Sequence, residues 1–302
     1  MKSSFVTRFA PSPNGLLHLG HAFSALTGFE LARRHGGRFL VRIDDLDLQR
    51  TREQYVTQIL EDLSWLGLTW EEPVLRQSRR FDVYSSAAKY LVERELLYPC
   101  FATRTEIDSA LAFAPTGSDP DGAPLYPGLC KGLSAEETDR RTAAGERACL
   151  RLDMNRALSV VSARLRGEPL TFRECNLNSN GPPSHVPADP ARWGDAIIVR
   201  KHVPASYHLA VVVDDAAQGI THVIRGQDLF GATGLHRLLQ VLLDLPQPEA
   251  YHHHALILDP TGRKLSKSLH DTSLREIRAG GATLADVRRL LAITPSSAPH
   301  SR

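Results

Sequence analysis

The chain has 302 residues, of which 42% are hydrophobic and 23% charged, and its formal net charge at pH 7 is +2. A chain of this length can bury one large core and a smaller satellite core. The near-neutral net charge does not by itself indicate nucleic-acid binding, so any RNA contact must come from local basic patches. We expect a cytoplasmic protein with no membrane attachment, because no run approaches the ~18 apolar residues of a membrane span and no secretory leader is evident. The four cysteines predict no disulfide framework.

The first forty residues predict a strand, a turn and a helix. Residues 5–9 predict a buried strand, and the Pro/Gly-rich turn after it leads into a helix that begins near Leu19 and is stopped by Gly36 and Gly37. Residues 38–43 predict a second strand. A strand, a glycine turn and a helix N-terminus form a site for anions, because unpaired N–H groups and the positive end of the helix dipole point at the ligand.

Two motifs stand far apart in the chain. The first, PSPNGLLHLGH at positions 11–21, places His18 and His21 on the first turn of the predicted helix, so that both imidazoles can face the anion site. The second, KLSKS at positions 264–268, carries Lys264 and Lys267 on a loop that would close over phosphates. Taken singly, each motif has an ordinary alternative: helix-capping histidines in the first case and a solvated lysine turn in the second.

The remaining pattern divides the chain. Residues 51–54 predict a capping box that opens a helix to about Leu66, and a further helix spans roughly residues 80–96. From about residue 98 to 193 the sequence is rich in Pro, Gly and Arg, which indicates an inserted domain. Apolar runs at 196–200 and 209–215 predict strands that resume a parallel sheet, and residues 222–228 predict a strand end and turn of the kind where such sheets bind ligands. The predicted divisions are 1–97 and 194–255 for two halves of a catalytic domain, 98–193 for the insertion and 256–302 for the KLSKS loop with a short helical end.

The two motifs, in this order, resemble those of class I aminoacyl-tRNA synthetases, and the segments RFAPS at 8–12 and RIDDLD at 42–47 resemble the glutamyl branch of that class. The resemblance implies an α/β fold: a Rossmann-like parallel sheet with an inserted smaller α+β domain and a short helical C-terminal segment. It also implies activation of an amino acid by ATP, with Mg²⁺ brought in by the nucleotide. The implied catalytic residues are His18, His21, Lys264 and Lys267, and the implied ATP-binding residues are His18, Gly20, His21 and Lys267.

A glutamate substrate offers two carboxylates and an ammonium, so its pocket needs arginines and a carboxylate. The positions that match the family's glutamate-binding residues are Arg8, Phe9, Ala10, Pro11, Ser12, Asp44, Tyr207 and Arg225. One of them departs from the family pattern, since a glutamate is more usual where this chain has Asp44. For each arginine the alternative is a structural ion pair.

Only about thirty residues follow Ser268, whereas full-length glutamyl enzymes continue with a helical region that binds the anticodon. The chain therefore resembles the short paralogues of this branch. That resemblance implies that L-glutamate is activated without tRNA and transferred to queuosine in the anticodon loop of tRNA(Asp), by a monomer. Two alternatives remain: a truncated glutamyl enzyme that charges the 3′ end of tRNA(Glu), and a non-catalytic paralogue that binds glutamate or RNA.

The insertion carries part of a metal-binding pattern. In the short paralogues a zinc site is built from Cys-x-Cys followed by Tyr-x-x-x-Cys. This chain has Cys100, Ala102, Tyr126 and Cys130 at those positions. Structural zinc is almost always four-coordinate, so with Ala102 in place of a ligand no zinc is expected. Cys149 and Cys175 lack the spacing of a replacement, although folding could bring either one near.

Overall fold

A computed structural model describes residues 5–175, 182–257 and 272–291. Its strands are Val6–Phe9 (β1), Arg38–Ile43 (β2), Leu75–Arg76 (β3), Leu97–Cys100 (β4), Cys149–Leu152 (β5), Thr171–Glu174 (β6), Ser184–Pro187 (β7), Ile197–Val199 (β8), His222–Gly226 (β9) and Ala250–His254 (β10). Its α-helices are Leu19–Arg34 (α1), Glu53–Trp65 (α2), Phe81–Val92 (α3), Arg104–Phe113 (α4), Ala135–Ala143 (α5), Met154–Arg164 (α6), Tyr207–Ala217 (α7), Phe230–Leu242 (α8), Leu274–Ala279 (α9) and Leu284–Leu290 (α10).

Parallel strands form the centre of the fold. One sheet has the order β1-β2-β3 and a second the order β7-β6-β10-β9, and all these pairings are parallel except β6 with β7. The two sheets meet at β1 and β9, where the Val6 amide donates to Thr221 Oγ1 at 2.8 Å and the Thr221 amide donates to the Val6 carbonyl at 3.1 Å. Arg8 lies beside Ile224 further along the same two strands. The carboxyl ends of β1, β2, β9 and β10 therefore open on one edge, and the predicted α/β class is confirmed.

The first predicted elements are confirmed closely. Strand β1 is buried along its whole length, and α1 begins at Leu19. After α1 the chain passes through Gly36 with φ +60°, and a Cβ on Gly37 would lie 2.0 Å from the Phe5 carbonyl oxygen. The turn between α1 and β2 thus requires glycine at both positions.

The C-terminal helices α9 and α10 pack against the first half of the chain. Leu274 and Val287 are fully buried in the same apolar cluster as residues of α1, α2 and β2. Arg288 on α10 also donates to Glu30 on α1 at 2.6 Å. The predicted short helical end is therefore part of the core. Within the described ranges, no helix combines the length and the apolar character needed to cross a membrane.

The Val-rich segment 209–215 is a helix, so its prediction as a strand is wrong. It forms most of α7, whose N-terminus is capped by Ser206, and every residue from Leu209 to Asp215 is buried. A helix buried on all sides shows the same continuous apolar run as a strand buried on both faces, so the pattern could not separate them.

The strand predicted at 196–200 does not resume the parallel sheet. It is β8, which pairs antiparallel with β5 in a small sheet of order β4-β5-β8. Conversely β6 and β7, which lie inside the predicted insertion at 98–193, belong to the sheet of β9 and β10. Strand pairing thus crosses both predicted limits of the insertion, and the division into domains stays a prediction.

The start of α2 also differs from the sequence expectation. The helix begins at Glu53, and its N-cap residue Arg52 makes no side-chain capping bond. Arg52 donates instead to the carbonyls of Gln49 and Thr51. The predicted capping box at 51–54 is therefore wrong, because Thr51 lies one residue too early to cap the helix.

Candidate active site

A cavity of about 630 Å³ opens at the carboxyl edge of the parallel strands. All eleven of the predicted site residues that the structure describes line this cavity: Arg8, Phe9, Ala10, Pro11, Ser12, His18, Gly20, His21, Asp44, Tyr207 and Arg225. The other two, Lys264 and Lys267, lie outside the described residues. Segments separated by more than two hundred residues, such as those of Arg8 and Arg225, thus converge on one cavity, while the roles given to them remain predictions.

The histidines of the first motif cap helix α1 and also line the cavity. His18 is the N-cap residue, and its Nδ1 accepts from the Gly20 amide at 3.1 Å. His21 Nδ1 accepts from the His18 amide at 3.2 Å. Because Nδ1 of each ring accepts, each neutral imidazole carries its proton on Nε2. The two histidines therefore cap α1, as the simpler interpretation of the motif predicts, and they also lie in the cavity at the positive end of the α1 dipole.

Two of the cavity's three buried arginines are already neutralised by carboxylates. Arg8 forms a bidentate pair with Asp215, through Nε at 3.0 Å and Nη2 at 3.1 Å. Arg42 donates to the same Asp215 at 2.6 Å and to Asp44 at 2.7 Å. The Asp215 pKa is lowered, because the two guanidinium groups outweigh the effect of burial that opposes them. Arg8 therefore forms a structural ion pair, which is the alternative role that the sequence left open for it.

The neighbouring residue on α7, Asp214, also lies near Arg42, whose Nε is 3.9 Å from Asp214 Oδ2, but its hydrogen bonds go elsewhere. It is fully buried and accepts hydrogen bonds from Gln77 at 3.0 Å, Arg80 at 2.8 Å and Tyr84 at 2.7 Å. Helix α7 therefore carries two adjacent carboxylates: Asp215 faces the arginines of the cavity, and Asp214 joins the helix to α3 and the turn before it. Sequence reasoning missed both roles because it predicted a strand here.

The third arginine, Arg225, is surrounded by neutral groups. Its guanidinium donates to His253 Nε2 at 3.2 Å, His236 Nδ1 at 3.1 Å and Thr233 Oγ1 at 2.6 Å. The residue is 5% exposed, and no carboxylate forms an ion pair with it in the part of the chain that the structure describes. A buried cation without an ion-pair partner among the described residues is costly, so this site is suited to a ligand that brings a negative charge.

The histidines beside Arg225 stay uncharged at neutral pH. Burial, with the Arg225 charge as the next cause, lowers the pKa of His236 well below its usual value and that of His208 to about 4. A guanidinium only donates, so His236 Nδ1 is the acceptor and its Nε2–H points at His208 Nδ1, 3.2 Å away. His253 is fixed likewise, since its Nδ1 donates to Glu174 at 2.7 Å. These contacts hold the Arg225 guanidinium in one orientation.

Asp44 supplies a carboxylate on the other side of the cavity. Burial raises its pKa to about 6, against the opposing effect of Arg42. The carboxylate is therefore ionised at neutral pH and becomes protonated as the pH falls below about 6. A substrate ammonium bound there would lose its ionic partner in acid.

We predict that the KM for glutamate rises as the pH falls through about 6, the pKa of Asp44, by roughly tenfold at one pH unit below that value. The measurement is glutamate-dependent ATP–pyrophosphate exchange between pH 5 and 8, with the KM for ATP as the internal control. Asp44→Asn should bind glutamate weakly at every pH and show no such rise. The same rise in Asp44→Asn would assign the titration to another group.

Further residues of the cavity were not predicted from the sequence. They are Asn14, Ser24, Arg42, Val211, Ile224, Gly226, Asp228, Leu229, His254, Leu256 and Ile257. For Arg42 a signal did exist, because residues two apart on a strand share a face and Arg42 precedes Asp44 by two. Ile224, Gly226 and Asp228 fall in the segment 222–228 that the sequence predicted as a ligand-binding turn, although they were not named singly. No comparable signal pointed to Val211 on α7.

Three of the four cysteines meet in a small apolar cluster of the antiparallel sheet. Cys100, Cys130 and Cys149 are buried together, with Ala102 and Tyr126 packed against them. Cys149 lies directly opposite Cys100 on the neighbouring strand, so folding does bring it near. The Cys100 thiol donates to the Tyr126 hydroxyl at 3.2 Å. Among the described residues no group of three or more His, Cys, Asp or Glu side chains is arranged to hold a metal ion.

We predict well under one zinc per chain by elemental analysis, and no unfolding by chelators, because packing around these thiols replaces coordination energy. Ala102→Cys should raise the zinc content if Cys100, Tyr126 and Cys130 still converge. Stoichiometric zinc in the unmodified protein would contradict this prediction, and its loss in Cys149→Ala would identify the replacement ligand.

Comparisons with known proteins agree with this geometry. The family described as "tRNA synthetases class I (E and Q), catalytic domain" matches residues 4–284. Proteins named "Glutamyl-Q tRNA(Asp) synthetase" from Rhodobacter capsulatus and Symbiobacterium thermophilum are 44% and 39% identical to this chain. The matches cover 95% and 91% of it, and 100% and 82% of those proteins.

A solved glutamate tRNA ligase from Elizabethkingia meningosepticum, in complex with its amino acid, superposes with a TM-score of 0.69 at 26% identity over 92% of this chain. The chain spans only 53% of that protein's length. The family match, the identities and the shared fold show that the chain belongs to the class I tRNA synthetases of the E and Q type, and is an enzyme of the ligase kind.

Proposed function

We propose that this protein activates L-glutamate with ATP, without tRNA, and transfers the glutamyl group to queuosine in the anticodon loop of tRNA(Asp). The observation that carries the glutamate assignment is Arg225, a buried cation whose described hydrogen-bond partners are neutral, in the same cavity as the Asp44 carboxylate. A glutamate places its side-chain carboxylate and its ammonium at two such sites. The two relatives named "Glutamyl-Q tRNA(Asp) synthetase" support the acceptor.

The first step joins glutamate to the nucleotide. The α-carboxylate oxygen attacks the α-phosphorus of ATP in line, and pyrophosphate leaves with the electron pair of the broken P–O bond. Such a step needs positioning and charge stabilisation more than covalent help. His18 and His21, at the positive end of α1, are proposed to donate from Nε2 to the phosphate oxygens. Lys264 and Lys267 are proposed to stabilise the departing pyrophosphate, and Mg²⁺ to arrive with ATP as a hard cation that prefers oxygen ligands.

The second step forms an ester. A hydroxyl of the queuosine cyclopentene diol attacks the carbonyl carbon of the glutamyl-adenylate, the bond from that carbon to the phosphate oxygen breaks, and AMP leaves with the electron pair. The hydroxyl proton passes to the departing phosphate. We propose that the protein performs both steps in the cytoplasm as a monomer.

The order of events gives the first test. We predict that ATP–pyrophosphate exchange proceeds with glutamate, ATP and Mg²⁺ alone. Omitting glutamate, or replacing it with glutamine, is the control, since glutamine lacks the charge that Arg225 is proposed to bind. A strict requirement for tRNA would favour an enzyme that charges the 3′ end of tRNA(Glu), and no exchange under any condition would favour a non-catalytic paralogue.

The acceptor is tested separately. Radiolabelled glutamate should be transferred to tRNA(Asp) that contains queuosine, and not to the same tRNA with guanosine at that position. Periodate treatment should abolish transfer to the queuosine-containing tRNA even when its 3′ end is protected, because periodate cleaves vicinal diols. Transfer to tRNA(Glu) in preference to queuosine-containing tRNA(Asp) would contradict the proposed acceptor.

A further inference from the structure

A second cavity, of about 440 Å³, lies beside the first. Tyr207 and Leu229 line both cavities, so the two cavities meet at these residues. The second cavity lies where the insertion meets the catalytic sheet, since its walls combine Arg151 on β5 and Trp193 with Ser206 and residues of α7 and α8. A molecule bound there would be next to the site proposed for the adenylate.

An ordered loop of the insertion forms one side of this second cavity. Asp119 Oδ1 accepts from the amides of Asp121 and Ala123, both at 2.9 Å, and Ser118 pairs with Pro124. Pro120 presses on Gly231 at the start of α8 so closely that a Cβ on the glycine would lie 2.4 Å from the proline Cβ. The absence of a side chain at Gly231 therefore lets the loop reach the catalytic half of the chain.

The walls of the second cavity carry charge of both signs. The carboxylates of Asp119 and Asp121 come from the loop, and Asp121 is exposed at the mouth. Deeper, Arg151 is 9% exposed, stacks on Tyr126 at 3.7 Å and donates through Nη1 to the Asp195 carbonyl. Its Nε–H is buried and has no hydrogen-bond acceptor among the described residues. Because this Nε is inaccessible to solvent, Arg151 helps to shape the wall of the cavity, and the carboxylates of the loop are the charged groups placed at its mouth.

We propose that this second cavity binds the amino-diol of the acceptor nucleoside, with Asp119 and Asp121 pairing with its amine. The inference rests on the proposed function and adds the residues that recognise its acceptor. A secondary alkyl amine is protonated at neutral pH, which matches the two carboxylates. The diol is the far end of the modification, so it is placed at Tyr207, where the two cavities meet and where the adenylate carbonyl is proposed to lie within reach. The volume falls within the roughly 300–1,000 Å³ of small-molecule pockets.

The test is the double variant Asp119→Asn/Asp121→Asn. Asparagine at 119 keeps the Oδ1 acceptor that orders the loop and removes only the charge. We expect an unchanged rate of glutamate-dependent ATP–pyrophosphate exchange without RNA, and a KM for queuosine-containing tRNA(Asp) raised roughly 10- to 100-fold, since partly exposed charge pairs contribute less than buried ones. The matched control is Asp139→Asn, which removes an exposed charge on α5 of the same insertion and should leave both measurements unchanged.

The outcomes separate this inference from the function on which it rests. Wild-type protein that transfers no glutamate to queuosine-containing tRNA(Asp) overturns the proposed function. Wild-type transfer with an unchanged KM in the double variant overturns the second cavity alone. An equal rise in KM for Asp139→Asn would assign the effect to general attraction for RNA, and a parallel fall in exchange would assign it to folding; each of these results also rejects the cavity.

Discussion

Replacing Arg225 with lysine is expected to raise the KM for glutamate while leaving the KM for ATP nearly unchanged. Lysine keeps the charge but loses the planar fork that contacts His253, His236 and Thr233 at once. A carboxylate bound against that fork would be left short of partners, at a cost of about 2–5 kcal/mol, or roughly 30-fold to several thousand-fold in affinity. The measurement is ATP–pyrophosphate exchange as a function of each substrate in turn.

The matched control for this change is Arg237→Lys. Arg237 is also buried and lies on α8, but it donates to the Thr171 carbonyl and to Gln240 and does not line either cavity. We expect Arg237→Lys to lower thermal stability with little change in either KM. If Arg225→Lys weakened the binding of glutamate and of ATP equally, Arg225 would have a structural role, which is the alternative that the sequence left open for each arginine.

The parts of the fold that could be predicted from the sequence are local. A strand, a glycine-containing turn and a helix at residues 5–35 each have their own composition and spacing, and each is found where predicted. The prediction failed for α7 because its apolar run is as long as a strand and has no alternating polar face that would indicate a helical period. Ser206 was the available sign, since serine before an apolar run is a common N-cap.

The position of β8 could not be deduced from composition. Three apolar residues suffice for a strand in either sheet, and the choice depends on pairing with β5, nearly fifty residues earlier. Strands β6 and β7 were missed because both are short and largely polar, and β7 ends in a proline, so they resemble the rest of the insertion. Pairing over such distances depends on tertiary contacts that a local pattern does not contain.

The site shows the same division between local and distant information. Motif residues that touch the cavity were found because the family pattern names them. The groups that orient those residues were missed, since Asp215 pairs with Arg8 across 207 positions and Glu174 fixes His253 across 79. Arg8 and Arg42 share the Asp215 carboxylate, whereas Arg225 has no carboxylate partner among the described residues. The sequence does not distinguish these arginines, but the structure identifies Arg225 as the one suited to an anionic ligand.

The largest effect on turnover is expected for Lys267→Ala. Lys267 lies in the KLSKS motif, outside the described residues, so the prediction rests on chemistry. Charge accumulates on the pyrophosphate as it departs. A cation that contacts the pyrophosphate most strongly at that moment lowers the activation barrier without strengthening the binding of ATP in the ground state. Its loss should lower kcat for ATP–pyrophosphate exchange by roughly 10²–10³-fold. Glutamate affinity should stay intact, because the proposed glutamate contacts are in the described cavity.

A matched control for Lys267→Ala is Arg275→Ala on α9, just beyond the same segment. Arg275 is exposed and donates to Gln58 at 3.2 Å, outside both cavities. Removing this cation should leave kcat unchanged, so a loss specific to Lys267 reports charge at the reacting phosphates and not the general attraction of a basic surface for ATP. A rise in the KM for ATP at constant kcat would instead show ground-state binding by Lys267. An unchanged exchange rate would indicate that the KLSKS segment is an ordinary solvated lysine turn with no catalytic role. The stabilisation of pyrophosphate would then have to come from His18 and His21 at the start of α1.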